Sequence, residues 1–250
     1  MALHEELKEQ GDYLFKNRSW IPMMIVAIGL VVFIDQKSTN HLATHSWNSE
    51  LFYFTCLGIS LFGLAVRVLT IGYSPNNTSG RNTKEGQIAE ELNTTGLYSL
   101  ARHPLYLGNF FMWLGVAMLT ENTWFVIAFI LFFALYYERI MYAEESFLRQ
   151  KFKSTYLDWA TKTPIFIPSL KHYKKAKYPF SLKKTLKQEK TGLVALFLLF
   201  WAFRFTGDSI KARSIEVKYD FWFYSALGSL VLYIVLKIMK KSKFLTETNH

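Results

Sequence analysis

The chain has 250 residues, of which 51% are apolar, and it carries a formal net charge of +10. A soluble domain spaces its apolar residues at helical or strand periods, whereas these gather in long blocks, which excludes a soluble globular class. The single cysteine, Cys56, lies inside one of the blocks, so a framework of disulfides within the chain is excluded as well.

Six apolar blocks approach the length of about 20 residues that a helix needs to cross the hydrocarbon layer. The second, fourth and sixth are long enough, while the first, third and fifth have only about 15 residues and could be tilted, extended by their flanks or re-entrant. The blocks are residues 20–34, 51–73, 105–120, 123–142, 192–205 and 221–238. We predict an all-α, polytopic membrane protein with about six transmembrane helices and a helical cap facing the cytoplasm.

The segments before and between the first blocks have distinct characters. Residues 1–19 mix leucines with charges, which predicts a short amphipathic helix. No small-residue cleavage site precedes Asp35, so a signal peptide is not expected. Residues 36–50 are predicted to be a polar external loop. Residues 74–104 are predicted to be a long loop on the opposite side, beginning with turn-forming Asn, Ser, Thr and Gly.

The basic residues indicate the orientation. If all six blocks cross the membrane, most lysines and arginines outside them lie on the side that holds both termini. The positive-inside rule therefore places both termini in the cytoplasm. The most basic stretch, residues 171–191, is predicted to be a cytoplasmic loop. We interpret it as attracted to anionic membrane lipids, at about 1 kcal/mol per cation, rather than to nucleic acid.

A very short link at Glu121 and Asn122 joins the third and fourth blocks, which must therefore form a helical hairpin. Its two open ends lie side by side at the cytoplasmic face. One end carries Arg-His-Pro at 102–104, and the other carries three glutamates and an arginine between 138 and 145. The tripeptide alone is equally consistent with an interfacial anchor, but charged groups on both hairpin ends favour a functional site. An apolar stripe at 147–159 predicts that the chain continues as a surface helix.

These two ends carry a family resemblance. The segment GLYSLARHPLYLG at 96–108, the hairpin, and ERIMYAEESFLRQKFKSTYLDW at 138–159 together resemble the catalytic half of the isoprenylcysteine carboxyl methyltransferase family. Phospholipid N-methyltransferases and many uncharacterised bacterial membrane proteins are related to it. The resemblance covers residues 88–168. It implies S-adenosylmethionine as the methyl donor, bound between the hairpin ends and the preceding loop, and we expect a bacterial inner-membrane location.

The resemblance also implies roles for the residues at matching motif positions. The residues implied to bind the cofactor are Leu92, Asn93, Tyr98, His103, Pro104, Leu105, Tyr106 and Glu144. The implied catalytic residues are Arg102 and Arg139, with Arg139 facing the substrate; Glu145 is a further catalytic candidate because its carboxylate could act as a base. Two positions depart from the family pattern. Arg139 precedes Glu144 by five residues rather than four, and Lys153 stands where the family commonly has glycine.

The chemistry favours one class of acceptor. A sulfonium methyl is already activated, so the enzyme must mainly align the reacting atoms and exclude water. An anionic acceptor needs no general base and could be oriented by an arginine. An amine acceptor would need a base such as Glu145. We therefore predict methylation of a phosphate or carboxylate on a membrane lipid or lipidated substrate at the cytoplasmic leaflet.

The sequence leaves alternative functions open and predicts a division of the chain into four parts. The alternatives are a phospholipid amine N-methyltransferase, a small membrane transporter and a non-catalytic membrane scaffold; no metal site is predicted. The chain divides into N-terminal helices and loop (1–87), a cofactor-binding catalytic region (88–170), a basic cytoplasmic loop (171–191) and a C-terminal transmembrane hairpin (192–250).

Overall fold

The computed structural model describes residues 2–18, 20–39, 49–75, 87 and 89–242, and within these ranges it is helical, with no strand. The α-helices, in chain order, are α1 (Leu3–Lys16), α2 (Trp20–Thr39), α3 (Ser49–Gly72), α4 (Pro104–Met118), α5 (Thr123–Ala160), α6 (Leu182–Ala212) and α7 (Phe221–Lys241). Two 3₁₀ turns, Gly96–Ser99 and Leu170–His172, accompany them. The all-α prediction is confirmed. Most of the predicted external loop and the start of the 74–104 loop lie outside the described residues.

Five of these helices, α2, α3, α5, α6 and α7, are long and apolar enough to cross a membrane. The fifth apolar block, which is short in the sequence, is the middle of the 31-residue helix α6, so polar turns at both ends extend it. The third block forms the shorter apolar helix α4, of 15 residues. Large apolar side chains such as Trp20, Val31 and Leu131 are more than half exposed, as expected for faces covered by lipid rather than water. The chain is an integral membrane protein.

Helices α3 and α4 pack most closely, and small residues make this possible. A side chain at Gly63 would collide with the carbonyl of Gly108, and one at Gly115 with the hydroxyl of Ser60. Ser60 in turn donates a hydrogen bond of 2.9 Å to the carbonyl of Met112. Close approach through glycine and serine is typical of helices packed within a membrane. This contact fixes the position of α4, whose first residues carry the predicted site.

The predicted hairpin of α4 and α5 is confirmed. Its turn contains Glu121, which has a positive φ of 55°, and Asn122, whose side chain accepts a 2.9 Å hydrogen bond from the backbone of Phe125 and so caps α5. Lys37 at the end of α2 pairs with Glu121 at 2.7 Å. The hairpin tip and the end of α2 therefore lie at the same face of the bundle, and α4 begins at the opposite face.

The structure joins the fourth block and the predicted surface helix into one 38-residue helix, α5, with a kink at Lys153. The backbone of Lys153 has φ 46° and ψ −120°, which is a conformation that glycine adopts readily and other residues do not. Lys153 stands at the position where the resembling family commonly has glycine.

The predicted loop at 171–191 needs a correction at its end. The chain is irregular up to Ser181, whose hydroxyl accepts a 3.1 Å hydrogen bond from the Lys184 backbone, and α6 begins at Leu182. The buried Lys184 ammonium binds the carbonyls of Ser74 and Pro75 just beyond the end of α3. The capping hydroxyl and this contact explain why a run of lysines forms helical turns instead of a loop.

Candidate active site

The start of α4 is held against the segment that follows α5. The backbone N–H groups of Arg102 and His103 donate to the carbonyls of Pro164 and Ile165, at 2.8 and 3.2 Å. His103 occupies the position before the first helical turn, and Pro104 begins the helix, as predicted. The tripeptide is thus pinned on one side by the chain after α5 and on the other by α5 itself.

Four side chains from the two hairpin ends form a cluster, which we call the RHP–EE cluster. Its members are Arg102, His103, Glu144 and Glu145. His103 Nε2 lies 2.9 Å from Glu145 Oε1, and His103 Nδ1 lies 3.6 Å from Glu144 Oε2. Arg102 Nη1 lies 3.1 Å from Glu145 Oε2. One turn into α4, the hydroxyl of Tyr106 donates to Glu144 Oε2 at 2.8 Å.

The electrostatics of the cluster follow from burial and pairing. Burial by itself would lower the pKa of His103, but the neighbouring carboxylates of Glu144 and Glu145 outweigh it and hold the pKa above its ordinary value. The two carboxylates therefore favour the protonated form of His103, which as an imidazolium would bridge them. Burial, together with the nearby Glu144 carboxylate, also raises the pKa of Tyr98, so this phenol stays neutral.

A cleft of about 500 Å³, counting the part open to solvent, lies beside the cluster. The residues lining it are Phe15, Gln87, Ala89, Glu91, Leu92, Asn93, Tyr98, Arg102, Glu144, Phe147, Leu148 and Trp159. Trp159 Nε1 donates to the Tyr98 carbonyl at 3.1 Å, so the part of α5 beyond the kink closes one side.

The predicted site residues divide between this cleft and the wall behind it. Lining the cleft are Leu92, Asn93, Tyr98, Arg102 and Glu144. The next residues in the chain, His103 to Tyr106, belong to the wall and are not among the lining side chains; of these, His103, Pro104 and Tyr106 are buried and Leu105 is half-buried. Glu145 reaches the cluster through both of its oxygens.

Arg139 is not brought to the cluster by any contact seen in the described residues. Its Nη1 pairs with Glu138 at 2.9 Å, and its backbone carbonyl packs against Gly11 of α1. The spacing explains this position. Five residues turn a helix by about 500°, which leaves Arg139 about 140° around the axis from Glu144, whereas four residues would leave it only about 40° away.

Two residues of the N-terminal segment lie at or near the cleft, and the sequence did not predict this. Phe15 of α1, only 2% exposed, lines the cleft. The guanidinium of Arg18 lies 4.4 Å from the centre of the Phe15 ring and interacts electrostatically with Tyr106 and Glu144. The sequence shows an amphipathic helix here but gives no sign that it reaches residues more than a hundred positions away.

A second set of polar side chains lies between helices α3, α4, α5 and α6, next to the cluster. Arg67 of α3 binds Glu189 of α6 through two hydrogen bonds, Nε–Oε2 at 2.8 Å and Nη2–Oε1 at 2.6 Å. Its Nη1 donates to Asn109 Oδ1 at 2.5 Å, and Asn109 Nδ2 donates to the Tyr137 hydroxyl at 3.0 Å. The rings of Tyr137 and Tyr106 lie 4.8 Å apart, so this chain of contacts ends against the cluster.

An apolar pocket of about 470 Å³, counting the part open to the surroundings, is lined by Tyr136 and Tyr137 of α5. Residues of α2, α4 and α5 provide almost all of its lining, and the list includes Ile21, Ile25, Trp113, Phe129, Tyr136 and Tyr137. Along α5 it extends from Phe125 to Tyr137, a rise of about 18 Å.

The sequence is similar to a family of methyltransferases and to several known proteins. Residues 53–155 match the sequence profile of the phospholipid methyltransferases. The chain is 28% identical to the nickel-cobalt-cadmium resistance protein NccN of Alcaligenes xylosoxydans xylosoxydans, over 64% of this chain and 68% of that protein. It is 37% identical to the cobalt-zinc-cadmium resistance protein CzcN of Cupriavidus metallidurans, over 36% of this chain and 41% of that protein. No solved structure matches the chain.

A further relative is an enzyme. The chain is 32% identical to the protein-S-isoprenylcysteine O-methyltransferase of Saccharomyces cerevisiae, over 30% of this chain and 31% of that protein. The chain therefore spans less than half the length of two of these three relatives. The resemblance to the family of isoprenylcysteine and phospholipid methyltransferases is confirmed, and the matches support a membrane methyltransferase. Among the described residues, no group of three or more His, Cys, Asp or Glu could hold a metal ion.

Proposed function

We propose that the protein transfers a methyl group from S-adenosylmethionine to an anionic group, a phosphate or carboxylate, of a membrane lipid or lipidated substrate at the cytoplasmic leaflet. The observation that carries this proposal is the cleft beside the RHP–EE cluster. Five residues assigned to the site from the family motifs line this one cleft: four from the segment 92–102, namely Leu92, Asn93, Tyr98 and Arg102, and one from α5, Glu144.

The residues of the cleft suit this cofactor. Phe15, Leu92, Phe147 and Trp159 offer apolar surface for a flat base. The buried Oε1 of Gln87 has no hydrogen-bond partner within the described part of the chain, although its Nε2 binds Asp12, so it is available to accept from an amino group.

The cluster supplies the polar contacts of the same cleft. Glu144 would hold the amino group of the cofactor's amino-acid moiety. Tyr106 and His103 fix the position of the Glu144 carboxylate. The bound cofactor would supply an activated methyl group on a sulfonium. The task left to the chain is to align the acceptor and exclude water.

The state of Glu145 favours an anionic acceptor over an amine. Both of its carboxylate oxygens are engaged, one by His103 and the other by Arg102. A carboxylate held between two cations is a weak base, and it would have to leave both partners to accept a proton. We infer that Glu145 holds Arg102 and His103 in place rather than deprotonating an acceptor amine.

Two features support a lipid acceptor at the cytoplasmic side. The apolar lining behind Tyr136 and Tyr137 follows α5 for about 18 Å, which would give an alkyl chain an apolar surface to lie along. The basic segment 171–181 lies at the same face as the cluster, since the backbone of Gly96, just before the tripeptide, donates to the Lys174 carbonyl at 2.9 Å. Excess basic residues mark the cytoplasmic face and attract anionic lipids.

Calorimetric titration of the detergent-solubilised protein with S-adenosylmethionine, followed by transfer of radiolabelled methyl groups into total host lipids and proteins, tests this function. We expect saturable binding and label on an anionic lipid group, identified by mass spectrometry. Arg102→Gln and His103→Ala should abolish transfer with an unchanged circular dichroism spectrum. Lys211→Gln, an exposed change at the opposite end of α6, serves as the matched control.

Three results would contradict the proposal. Absence of binding at millimolar cofactor would favour a transporter or a non-catalytic scaffold. Label on a lipid amine would establish the N-methyltransferase alternative. Full activity in both the Arg102 and the His103 variants would remove the assignment of the cluster as the active site.

A further inference from the structure

The chain that follows α5 runs alongside the first turns of α4. Phe166 points inward, and the centre of its ring lies 6.1 Å from that of Phe110 in the second turn of α4. On either side of it, Ile165 and Ile167 point outward and are 48% and 79% exposed. Such alternation is typical of extended backbone. One apolar side chain therefore fastens the segment to α4, and its two neighbours face the surroundings.

The length of α4 indicates how deep this segment lies. The hairpin tip carries the charged pair of Lys37 and Glu121, so it lies at one edge of the hydrocarbon layer. From that edge α4 extends over 15 residues, a rise of about 22 Å, whereas the hydrocarbon layer is about 30 Å thick. The start of α4 is therefore short of the opposite edge. Ile165, whose carbonyl accepts from the His103 backbone at this point, lies beneath the head groups.

Basic side chains follow the two isoleucines in the chain. Leu170 and Tyr173 are 79% and 59% exposed. They alternate with three exposed lysines, Lys171, Lys174 and Lys175. Exposed apolar side chains next to lysines are typical of a segment that lies in the membrane interface, with its apolar side chains among the acyl chains and its cations at anionic head groups.

Backbone hydrogen bonds join this segment to the loop that leads into α4. The N–H of Ser169 donates to the Leu100 carbonyl at 2.9 Å, and the N–H of Gly96 donates to the Lys174 carbonyl, also at 2.9 Å. The bonds from the Arg-His-Pro tripeptide to the carbonyls of Pro164 and Ile165 continue the same series. The segment that faces the membrane is therefore also the one that holds the tripeptide of the RHP–EE cluster.

We propose that residues 164–175 form a membrane-binding surface, which we call the interfacial segment, and that the lipid bound there holds the start of α4 in place. Ile165 and Ile167 lie among the acyl chains of the leaflet beside the RHP–EE cluster. The three lysines bind the anionic head groups of the same leaflet. This inference needs only the membrane class of the protein, and it holds whether or not the protein is a methyltransferase.

The competing explanation is that the exposed isoleucines serve a protein partner above the membrane. The two explanations differ in what surrounds Ile167 when the purified protein is alone in a bilayer. A membrane-binding surface keeps this side chain among acyl chains. A docking site for a protein leaves it in water until the partner arrives.

Electron paramagnetic resonance separates these explanations, with a nitroxide on Ile167→Cys of the full chain in nanodiscs of equal parts phosphatidylcholine and phosphatidylglycerol. The native Cys56 is fully buried, so the added thiol takes the label. Molecular oxygen collects in the membrane, whereas a nickel(II) chelate stays in water. We expect oxygen to relax the nitroxide at 167 more than the chelate does. The opposite order is expected for the matched control, Lys162→Cys, an exposed position in the turn before the segment.

Stronger relaxation by the chelate than by oxygen at Ile167→Cys would place the interfacial segment in water and overturn the proposal. Ile165→Cys gives the same test if Ile167→Cys does not purify folded.

Hydrogen exchange of the backbone amides at 96–103 tests the lysines and their connection to the tripeptide. We expect exchange in nanodiscs that contain phosphatidylglycerol to be about tenfold slower than in phosphatidylcholine alone, because three cations near anionic head groups hold the segment at the membrane. The combined variant Lys171→Gln, Lys174→Gln, Lys175→Gln should remove this difference.

The matched control is the combined variant Lys237→Gln, Lys240→Gln, Lys241→Gln, which removes an equal charge from exposed positions of α7 and should keep the difference. An equal loss in both combined variants would show a general attraction of the protein to anionic lipid and overturn the proposal. Neither measurement uses S-adenosylmethionine, so a failure of the proposed function would leave both results unchanged.

Discussion

At the scale of single residues, the arrangement of the cluster depends on which partners bind the carboxylates of Glu144 and Glu145. Glu144 faces the cleft and is held by Tyr106 and His103, while Glu145 faces away from it and is held by His103 and Arg102. Adjacent glutamates on a helix point about 100° apart, so one pair can serve two purposes. The Glu144 carboxylate lines the cleft, and the Glu145 carboxylate binds Arg102 and His103.

His103 gives this arrangement a pH dependence. A histidine whose pKa is raised by folding stabilises the folded state fully below the unfolded value of about 6.5, and that stabilisation is lost as the pH rises through the folded pKa. We therefore expect the difference in melting temperature between wild type and His103→Gln to be largest near pH 6 and to shrink at higher pH. Thermal unfolding in detergent between pH 6 and 10 measures it.

Replacement of His172, an exposed histidine in the 3₁₀ turn after α5, is the control for this experiment. His172→Gln removes a histidine without touching the cluster and should show no such trend. A difference for His103→Gln that grows with pH would contradict the imidazolium bridge between Glu144 and Glu145.

At the scale of elements, the kink in α5 determines the shape of the cleft. The helix brings Glu144 to the cluster before the kink and Trp159 to the Tyr98 carbonyl after it. A straight helix would carry Trp159 away from the loop, so the unusual backbone of Lys153 has a structural purpose. The lysine adopts, at a cost, a conformation that glycine would adopt freely.

Lys153→Gly should therefore stabilise the protein. The relief of backbone strain, about 1–3 kcal/mol, exceeds the extra chain entropy that glycine loses on folding, about 1 kcal/mol. We expect a net gain of about 1 kcal/mol in the free energy of unfolding, measured as a higher melting temperature in detergent. The matched control, Gln150→Gly in the regular part of α5, should lose about 1 kcal/mol. A loss at both positions would mean that the kink is not strained.

At the scale of the whole molecule, the Arg67–Glu189 pair connects the C-terminal helices to the region that resembles the methyltransferase family. Glu189 lies on α6, beyond the region that resembles the family, and Arg67 and Asn109 link it to Tyr137 beside the cluster. The pair is largely buried, with side-chain exposures of 22% and 6%. Removing one member leaves an uncompensated charge among packed helices.

We expect Glu189→Gln to destabilise the protein by about 3 kcal/mol, because the buried Arg67 guanidinium would lose its counter-ion. The double variant Arg67→Met, Glu189→Leu should be considerably closer to wild type, because it removes both charges together. A double-mutant cycle on melting temperatures in detergent measures the coupling. Additive losses from the two positions would show that the pair does not link α3 to α6.

The helices, the hairpin and the cluster could be predicted from the sequence, whereas one loop boundary could not. Blocks of apolar residues predicted the helices because the membrane demands long uninterrupted runs, and the two-residue link at Glu121 and Asn122 made the hairpin unavoidable. Adjacency of the hairpin ends then followed from geometry, and with it the meeting of His103 with Glu144 and Glu145. The predicted end of the 171–191 loop was wrong. The Ser181 cap and the buried contact of Lys184 allow a helix to begin at Leu182 although the segment is rich in lysine.

The sequence by itself therefore determined the membrane class, the hairpin and the cluster at its open ends, since each depends on contacts that are local or bridged by one short turn. Only the tertiary structure decided that Arg139 turns away, that Glu145 is bound by both Arg102 and His103, and that Phe15, with Arg18 over its ring, lines the cleft. These depend on the rotation of α5 about its axis and on the packing of α1 against it. Helix packing of that kind is set by many weak contacts between distant segments, for which a single sequence carries no local signal.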